Sequence, residues 1–330
     1  MIFVPNNQQI TLDQQLNWQL TTTTKPTPAA DELLIEVKAA SLNPIDLKRR
    51  PMTQTILGYD GYGTIVAIGA EVKQFSVGQT VFYAGTTHKD GSFQNYQTVA
   101  AQLCALAPTN LTPAQAAGLP LVSLTAFELL FEKLHFTATP QANQGQTLLI
   151  VNGAGGVGSI LSQLAQWAGL TVYATSSPSH FDWLKKNGVT QPIDYHAVSQ
   201  HQTLAQIPDN HFDAIAVLYD ITSYLPELSR LIKPLGQIGA IVGVDHPLDL
   251  AALKAKSVSF AWEYMFTKTD FKVNQASQGA ILHQISQLMT QQSLQPITTQ
   301  TFNGLTAHTF TAASEALTSG HATGKNVIVY

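Results

Sequence analysis

The sequence predicts an α/β protein in which a doubly wound parallel sheet is joined to a second, β-rich domain. Three observations carry this. A glycine-rich turn links an apolar strand to a helix in mid-chain. Strand-like and helix-like stretches then alternate as far as Val242, as they do in parallel sheets. Before Pro120 the texture differs, with short strands punctuated by glycine in the manner of an antiparallel barrel.

In the first region Leu33–Ala39 partly alternates apolar and polar residues, the pattern of a half-buried strand. Further strands are predicted at Gly63–Ala67, Thr80–Tyr83 and Gln94–Val99, separated by Gly69, Gly78, Gly85 and Gly91. Pro113 opens a helical stretch over Ala114–Gly118, and a second follows over Leu121–Leu134. Thr137–Gln146 is polar, contains Gly and Pro, and reads as a loop.

Leu148–Val151 is the next strand, and the helix Ser159–Trp167 follows the glycine turn. Gly153, Gly155 and Gly158 fit the G-x-G-x-x-G spacing. The first glycine allows a tight turn, the second admits a pyrophosphate to the backbone, and the third lets helix and strand pack closely. The N–H groups at the helix start, around Gly156 and Val157, would face the phosphates. With the strand Thr171–Thr175 this makes a β-α-β unit of about 30 residues. The reading is a dinucleotide site; the bland alternative is a glycine turn with no ligand. Strands at Ala214–Leu218 and Gln237–Val242 continue the sheet. Ala280–Gln291 carries Ile281, Ile285, Leu288 and Met289 at helical spacing. A strand at Thr298–Phe302, a helix at Ala312–Thr318 and a strand at Asn326–Tyr330 end the chain.

At 330 residues, two domains are expected. The net charge of −4, with no Lys/Arg run longer than Lys48–Arg50, argues against nucleic acid and membrane surfaces as partners. No apolar run reaches the length of a membrane span, and Met1–Asn6 lacks a signal-peptide pattern. The single cysteine, Cys104, excludes an intrachain disulfide, and the expectation is a cytoplasmic protein.

Several segments, in this order, resemble the medium-chain dehydrogenase/reductase superfamily, and its zinc-free quinone oxidoreductase branch in particular. They are Ala40–Asp46, Leu57–Gly63, Ser92–Tyr96, Leu124–Phe127, the glycine turn, Trp262–Thr267 and Gly324-Lys325. The resemblance implies a GroES-like β-barrel domain over residues 1–122, completed by 272–330, and a Rossmann-type domain over 123–271. It also implies a homodimer. Aligned by motif, Asn43, Tyr59 and Leu121 stand where the zinc enzymes of the superfamily place Cys, His and Cys. None of the three is an ordinary zinc ligand, and one cysteine cannot build a four-cysteine site, so no metal is expected.

The end of the second nucleotide-domain strand carries Ser176, Ser177 and His180, with no Asp or Glu to take a ribose 2′-hydroxyl. Tyr195 matches a tyrosine that contacts the 2′-phosphate in the resembled branch. NADPH is therefore the expected cofactor, although the loop has no arginine; the alternative for the serines is a polar helix-capping turn. The resemblance also brings Thr125, Val242, Gly243, Val244 and Lys325 to the cofactor. Of the catalytic candidates, Asn43 either hydrogen-bonds ribose or substrate or simply initiates an Asn-Pro turn. Tyr59 either donates to a developing oxyanion or fills the former metal space. Asp46 enters with the same loop. The leading expectation is NADPH-dependent hydride transfer to a quinone or conjugated enone in a cleft between the domains, without zinc. The alternatives are an enoyl-thioester or alkenal reductase and a non-catalytic NADPH-binding redox sensor.

Overall fold

The computed structural model describes residues 6–51, 56–198, 204–320 and 322–330, with the backbone alone at 197 and 198. The chain divides into two units, Met1–Leu124 with Met265–Tyr330, and Thr125–Tyr264.

In the first unit β1 (Asn6–Leu12) and β2 (Trp18–Thr24) form an antiparallel hairpin. The main sheet contains β3 (Glu32–Ser41), β4 (Gly61–Ile68), β5 (Thr80–Tyr83), β6 (Tyr96–Ala100) and β7 (Cys104–Leu106). The C-terminal strands β14 (Thr298–Asn303) and β15 (Lys325–Val329) complete it, in the order β14-β15-β3-β4-β5-β7, with β6 also paired to β3. All contacts are antiparallel except β14 with β15. Leu33, Ile35, Ile65, Val81 and Val99 fill its core. A second apolar centre is aromatic: Phe93 meets Trp18 and Phe310 edge-on, with centroids 6.0 and 4.7 Å away.

The second unit is built on six parallel strands. They are β8 (Thr147–Val151), β9 (Thr171–Ser176), β10 (Gln191–Asp194), β11 (Phe212–Val217), β12 (Ile232–Ala240) and β13 (Ser259–Trp262). Their order is β10-β9-β8-β11-β12-β13, that of a doubly wound dinucleotide-binding sheet, with the reversal of direction between β8 and β11. Leu149, Val151, Ile215, Val217 and Ile238 are wholly buried in it.

Element positions differ from expectation in identifiable ways. The predicted helix Leu121–Leu134 is α-helical over Pro120–Phe127 and then widens to a π-helix over Glu128–Lys133. The strand expected at Gln237–Val242 ends at Ala240, so Val242 and Gly243 lie in the following loop. The chain re-enters the first unit at Met265, ahead of the expected boundary at 271/272. The reason is packing: Phe266 lies edge-on to Tyr59, centroids 4.9 Å apart, and Gln278 Nε2 donates to the Met265 carbonyl at 2.6 Å. Among the described residues no helix is long and apolar enough to cross a membrane.

Gly279 offers a test of this packing. It sits inside the helix Ala276–Thr290, where alanine would ordinarily be favoured by about 1 kcal/mol. A Cβ there would stand 2.4 Å from the Gln102 carbonyl oxygen. Gly279→Ala is therefore expected to lower unfolding free energy by about 1–3 kcal/mol, measured by denaturant titration, against its helix propensity.

Candidate functional site

The glycine turn lies at the carboxyl end of β8, beside the point where the strand order reverses. Asn152 takes a left-handed φ of 67°, and its N–H donates to Thr175 Oγ1 at 2.9 Å. Gly153 N–H donates to the Thr175 carbonyl at 2.9 Å, which ties the turn to the end of β9. A Cβ on Gly158 would come within 2.4 Å of the Gly153 carbonyl oxygen. A Cβ on Gly155 would meet nothing within 4 Å, so this position faces open space. Gly156 and Val157 begin the helix Gly156–Trp167, whose first N–H groups have no helical acceptor. This is an anion cradle with room for a pyrophosphate.

At the end of β9, Ser176 Oγ and Ser177 Oγ lie 3.3 and 3.2 Å from His180 Nδ1. Tyr195 starts the short helix Tyr195–Val198 directly after β10; it is exposed and stacked on His196 at 4.0 Å. Beyond β11 and β12, residues Asp220, Gly243, Val244, Asp245 and His246 line a cavity of about 460 Å³. Thr222 stands at the same place, its hydroxyl 2.6 Å from Asp220 Oδ1 and 2.9 Å from His246 Nε2. Of this group only Gly243 and Val244 were picked out from sequence. Asp220, Thr222 and His246 carry no recognisable spacing; their one signal is that each follows the end of a parallel strand.

In the first unit, Asn43, Asp46, Tyr59, Asp60 and Lys325 are all buried. Asp60 Oδ2 accepts from Ser41 Oγ at 2.5 Å, Asn43 Nδ2 at 2.8 Å and Lys325 Nζ at 3.0 Å. Its Oδ1 accepts from the Leu121 N–H at 2.7 Å. Lys325 Nζ also donates to Asn43 Oδ1 at 2.5 Å. Asp46 Oδ2 and Oδ1 accept from the main-chain N–H groups of Asn43 and Gly58, at 2.7 and 3.0 Å. Burial pushes the Asp46 carboxyl up to about 7 against the pull of the Asn43 N–H, with the Asp60 charge adding to the rise.

The alcohol dehydrogenase GroES-like domain family matches residues 29–109, and the zinc-binding dehydrogenase family matches 187–328. A zinc-type alcohol dehydrogenase-like protein of Staphylococcus aureus is 38% identical over 310 residues, spanning 92% of either chain. The chain belongs to the medium-chain dehydrogenase/reductase superfamily. An NADPH-dependent alkenal/one oxidoreductase of Arabidopsis thaliana is 35% identical over 235 residues, 66% of this chain and 56% of the relative. The quinone oxidoreductase of Coxiella burnetii superposes with a TM-score of 0.81 at 26% identity, covering 99% of this chain and 100% of that one.

The three positions aligned with metal ligands do not fit the zinc that some superfamily names imply. Of the three positions aligned with metal ligands, Asn43 spends its amide on Asp60 and Lys325, Leu121 contributes a main-chain N–H, and Tyr59 packs on Phe266. An ammonium already stands against Asp60 and Asn43, where a second cation would be repelled. The nicotinamide cofactor that the superfamily binds fits better, in the cradle at Gly153–Gly158.

The structure also changes the jobs expected of several residues. Asn43 and Asp46 are occupied by internal hydrogen bonds and enclosed, so they organise the loop instead of presenting free groups to substrate. Lys325, expected at the cofactor, turns its ammonium inward onto Asp60. Thr125 is buried in its helix.

Two measurements check this buried network. Lys325→Met strands the Asp60 carboxylate and is expected to cost about 3–5 kcal/mol in denaturant unfolding. For Asp46, the folded-state value lies above the ordinary aspartate value near 4, so the native state binds the extra proton between them. Stability should therefore fall as pH rises from about 4 to about 7 and level off above that. Asp46→Asn should remove this component of the slope; parallel pH profiles for the two proteins would contradict it.

Proposed function

We propose that this chain is an NADPH-dependent reductase of conjugated enones and quinones that works without a metal. The observation that carries the reading is the open glycine cradle at the switch point of a β10-β9-β8-β11-β12-β13 sheet, with hydroxyls and no carboxylate following β9. Gly153, Gly155, Gly156, Val157 and Gly158 would hold the pyrophosphate on backbone N–H groups. Ser176, Ser177 and His180 would hydrogen-bond the 2′-phosphate, with Tyr195 beside them. Val242 and Gly243 would border the nicotinamide.

Reduced nicotinamide, when bound, supplies a hydride. Quinones and enones accept it without a Lewis acid, so orienting the two rings is the main demand on the protein. The Arabidopsis alkenal/one oxidoreductase and the Coxiella quinone oxidoreductase support this acceptor class. Asp220 and Asp245 at the cavity favour a neutral acceptor over a thioester on a phosphorylated carrier. A second copy of the chain would pair along the free edge of β13, where Trp262 and Tyr264 are exposed.

Oxidation of NADPH and NADH, followed at the nicotinamide absorbance against an ortho-quinone, an alkenal, an enoyl thioester and a saturated aldehyde, tests the reading. NADPH-selective turnover of quinone or alkenal but not aldehyde is expected. Tight NADPH binding with no turnover would point to a sensor instead. Ser176→Asp places a negative charge where the 2′-phosphate is proposed to lie. It should raise KM for NADPH about tenfold or more and leave KM for NADH less affected.

A further inference from the structure

A doubly wound sheet binds one mononucleotide on each side of its switch point, and the glycine turn assigns the adenosine phosphate to the β8-β9-β10 side. The nicotinamide half then falls on β11 and β12, whose following loops carry Asp220, Thr222, Gly243, Val244, Asp245 and His246 around the 460 Å³ cavity. The glycine turn and the serine cluster with His180 lie on the adenosine side of the switch point, yet reduction of an enone needs a proton on the other side.

The hydrogen bonds around His246 run in one direction. Asp245 Oδ1 lies 3.1 Å from Nδ1, and a carboxylate only accepts, so Nδ1–H donates to it. The Thr222 hydroxyl gives its proton to Asp220 Oδ1 at 2.6 Å. The oxygen of Thr222 is thus left to accept from His246 Nε2 at 2.9 Å. Each ring nitrogen has an acceptor when the imidazole carries both protons, and among the described residues Asp220 and Asp245 are the charged groups that face it. The same carboxylates are held below the ordinary aspartate range, Asp220 chiefly by the Thr222 hydroxyl and Asp245 chiefly by His246. The side chain is 44% exposed, so water can reload it.

From this geometry we infer that His246, oriented by Asp245 and Thr222, is the general acid that completes enone reduction in this chain. The inference rests on the reductase reading above. The substrate's β-carbon gains the hydride, with its two electrons drawn from the reduced nicotinamide. The C=C pair moves to the α-carbon, which forms its new C–H bond with the Nε2 proton as that proton leaves its hydrogen bond to Thr222 Oγ1 and the N–H bond breaks. Solvent returns a proton to the neutral ring. A quinone ends as an oxyanion, which water protonates readily, so it depends less on a fixed acid.

His246→Gln keeps a side-chain N–H for Thr222 but cannot transfer a proton. With an alkenone it should lose about 10²-fold or more in kcat, and the ratio of alkenone to ortho-quinone turnover should collapse while KM for NADPH changes little. An equal loss on both acceptors, or no loss, would overturn the assignment. A second readout needs no turnover. Carbethoxylation of His246 by diethylpyrocarbonate, followed by peptide mass, should be slowed by NADP+ with a saturated ketone product beyond NADP+ alone. No added protection would overturn it too. Failure of wild-type protein to reduce any acceptor would instead count against the reductase reading, and the modification experiment would still report whether His246 faces the bound ligand.

Discussion

Asp60 is a carboxylate with no exposure to water, and the arrangement of the first unit follows from the need to satisfy it. A charge in that position is tolerated only if paired and hydrogen-bonded. Its donors come from the end of β3 (Ser41), the next loop (Asn43), the backbone at Leu121 and the start of β15 (Lys325). The C-terminal segment must therefore return to the N-terminal sheet to deliver the ammonium. The Lys325–Asp60 pair holds β15 against the sheet of Met1–Leu124, as the packing of Phe266 on Tyr59 holds the start of the returning segment. The same ammonium stands against the carboxylate and amide that a cation there would need, which is why the proposed reaction rests on orientation and not on a Lewis acid.

The second unit rests on a different constraint. Its parallel strands send all their carboxyl ends to one side, so every loop that can meet a ligand leaves from there. β8 contributes the glycine turn, β9 a cluster of hydroxyls, and β11 and β12 the polar cavity. The division of labour is set by strand order, and the glycine turn depends on a strict residue type, because a Cβ on Gly158 would strike the Gly153 carbonyl.

The glycine turn was legible because its spacing expresses a mechanical requirement that any such turn shares. The hairpin β1-β2 was not, since its Gln, Thr and Asn residues leave most positions at least partly exposed and show no apolar alternation. Asn43 and Lys325 meet at one buried carboxylate, Asp60, although the sequence reading sets one on a catalytic loop and the other at the cofactor. Lys325 meets Asn43 across 282 residues of chain, and no local pattern shows that its charge is spent internally. Thr222 and His246 were missed for the same reason, being brought together by two loops that only the sheet makes neighbours.

The central claim is that hydride chemistry here proceeds without a metal because a lysine ammonium stands against the partners a cation would need. Elemental analysis of purified protein, with NADPH oxidation by an alkenal measured before and after exhaustive chelation, tests it most directly. The expected result is zinc well below one equivalent per chain and the same turnover after chelation. One equivalent of zinc, with activity lost on its removal and restored on its return, would contradict the account.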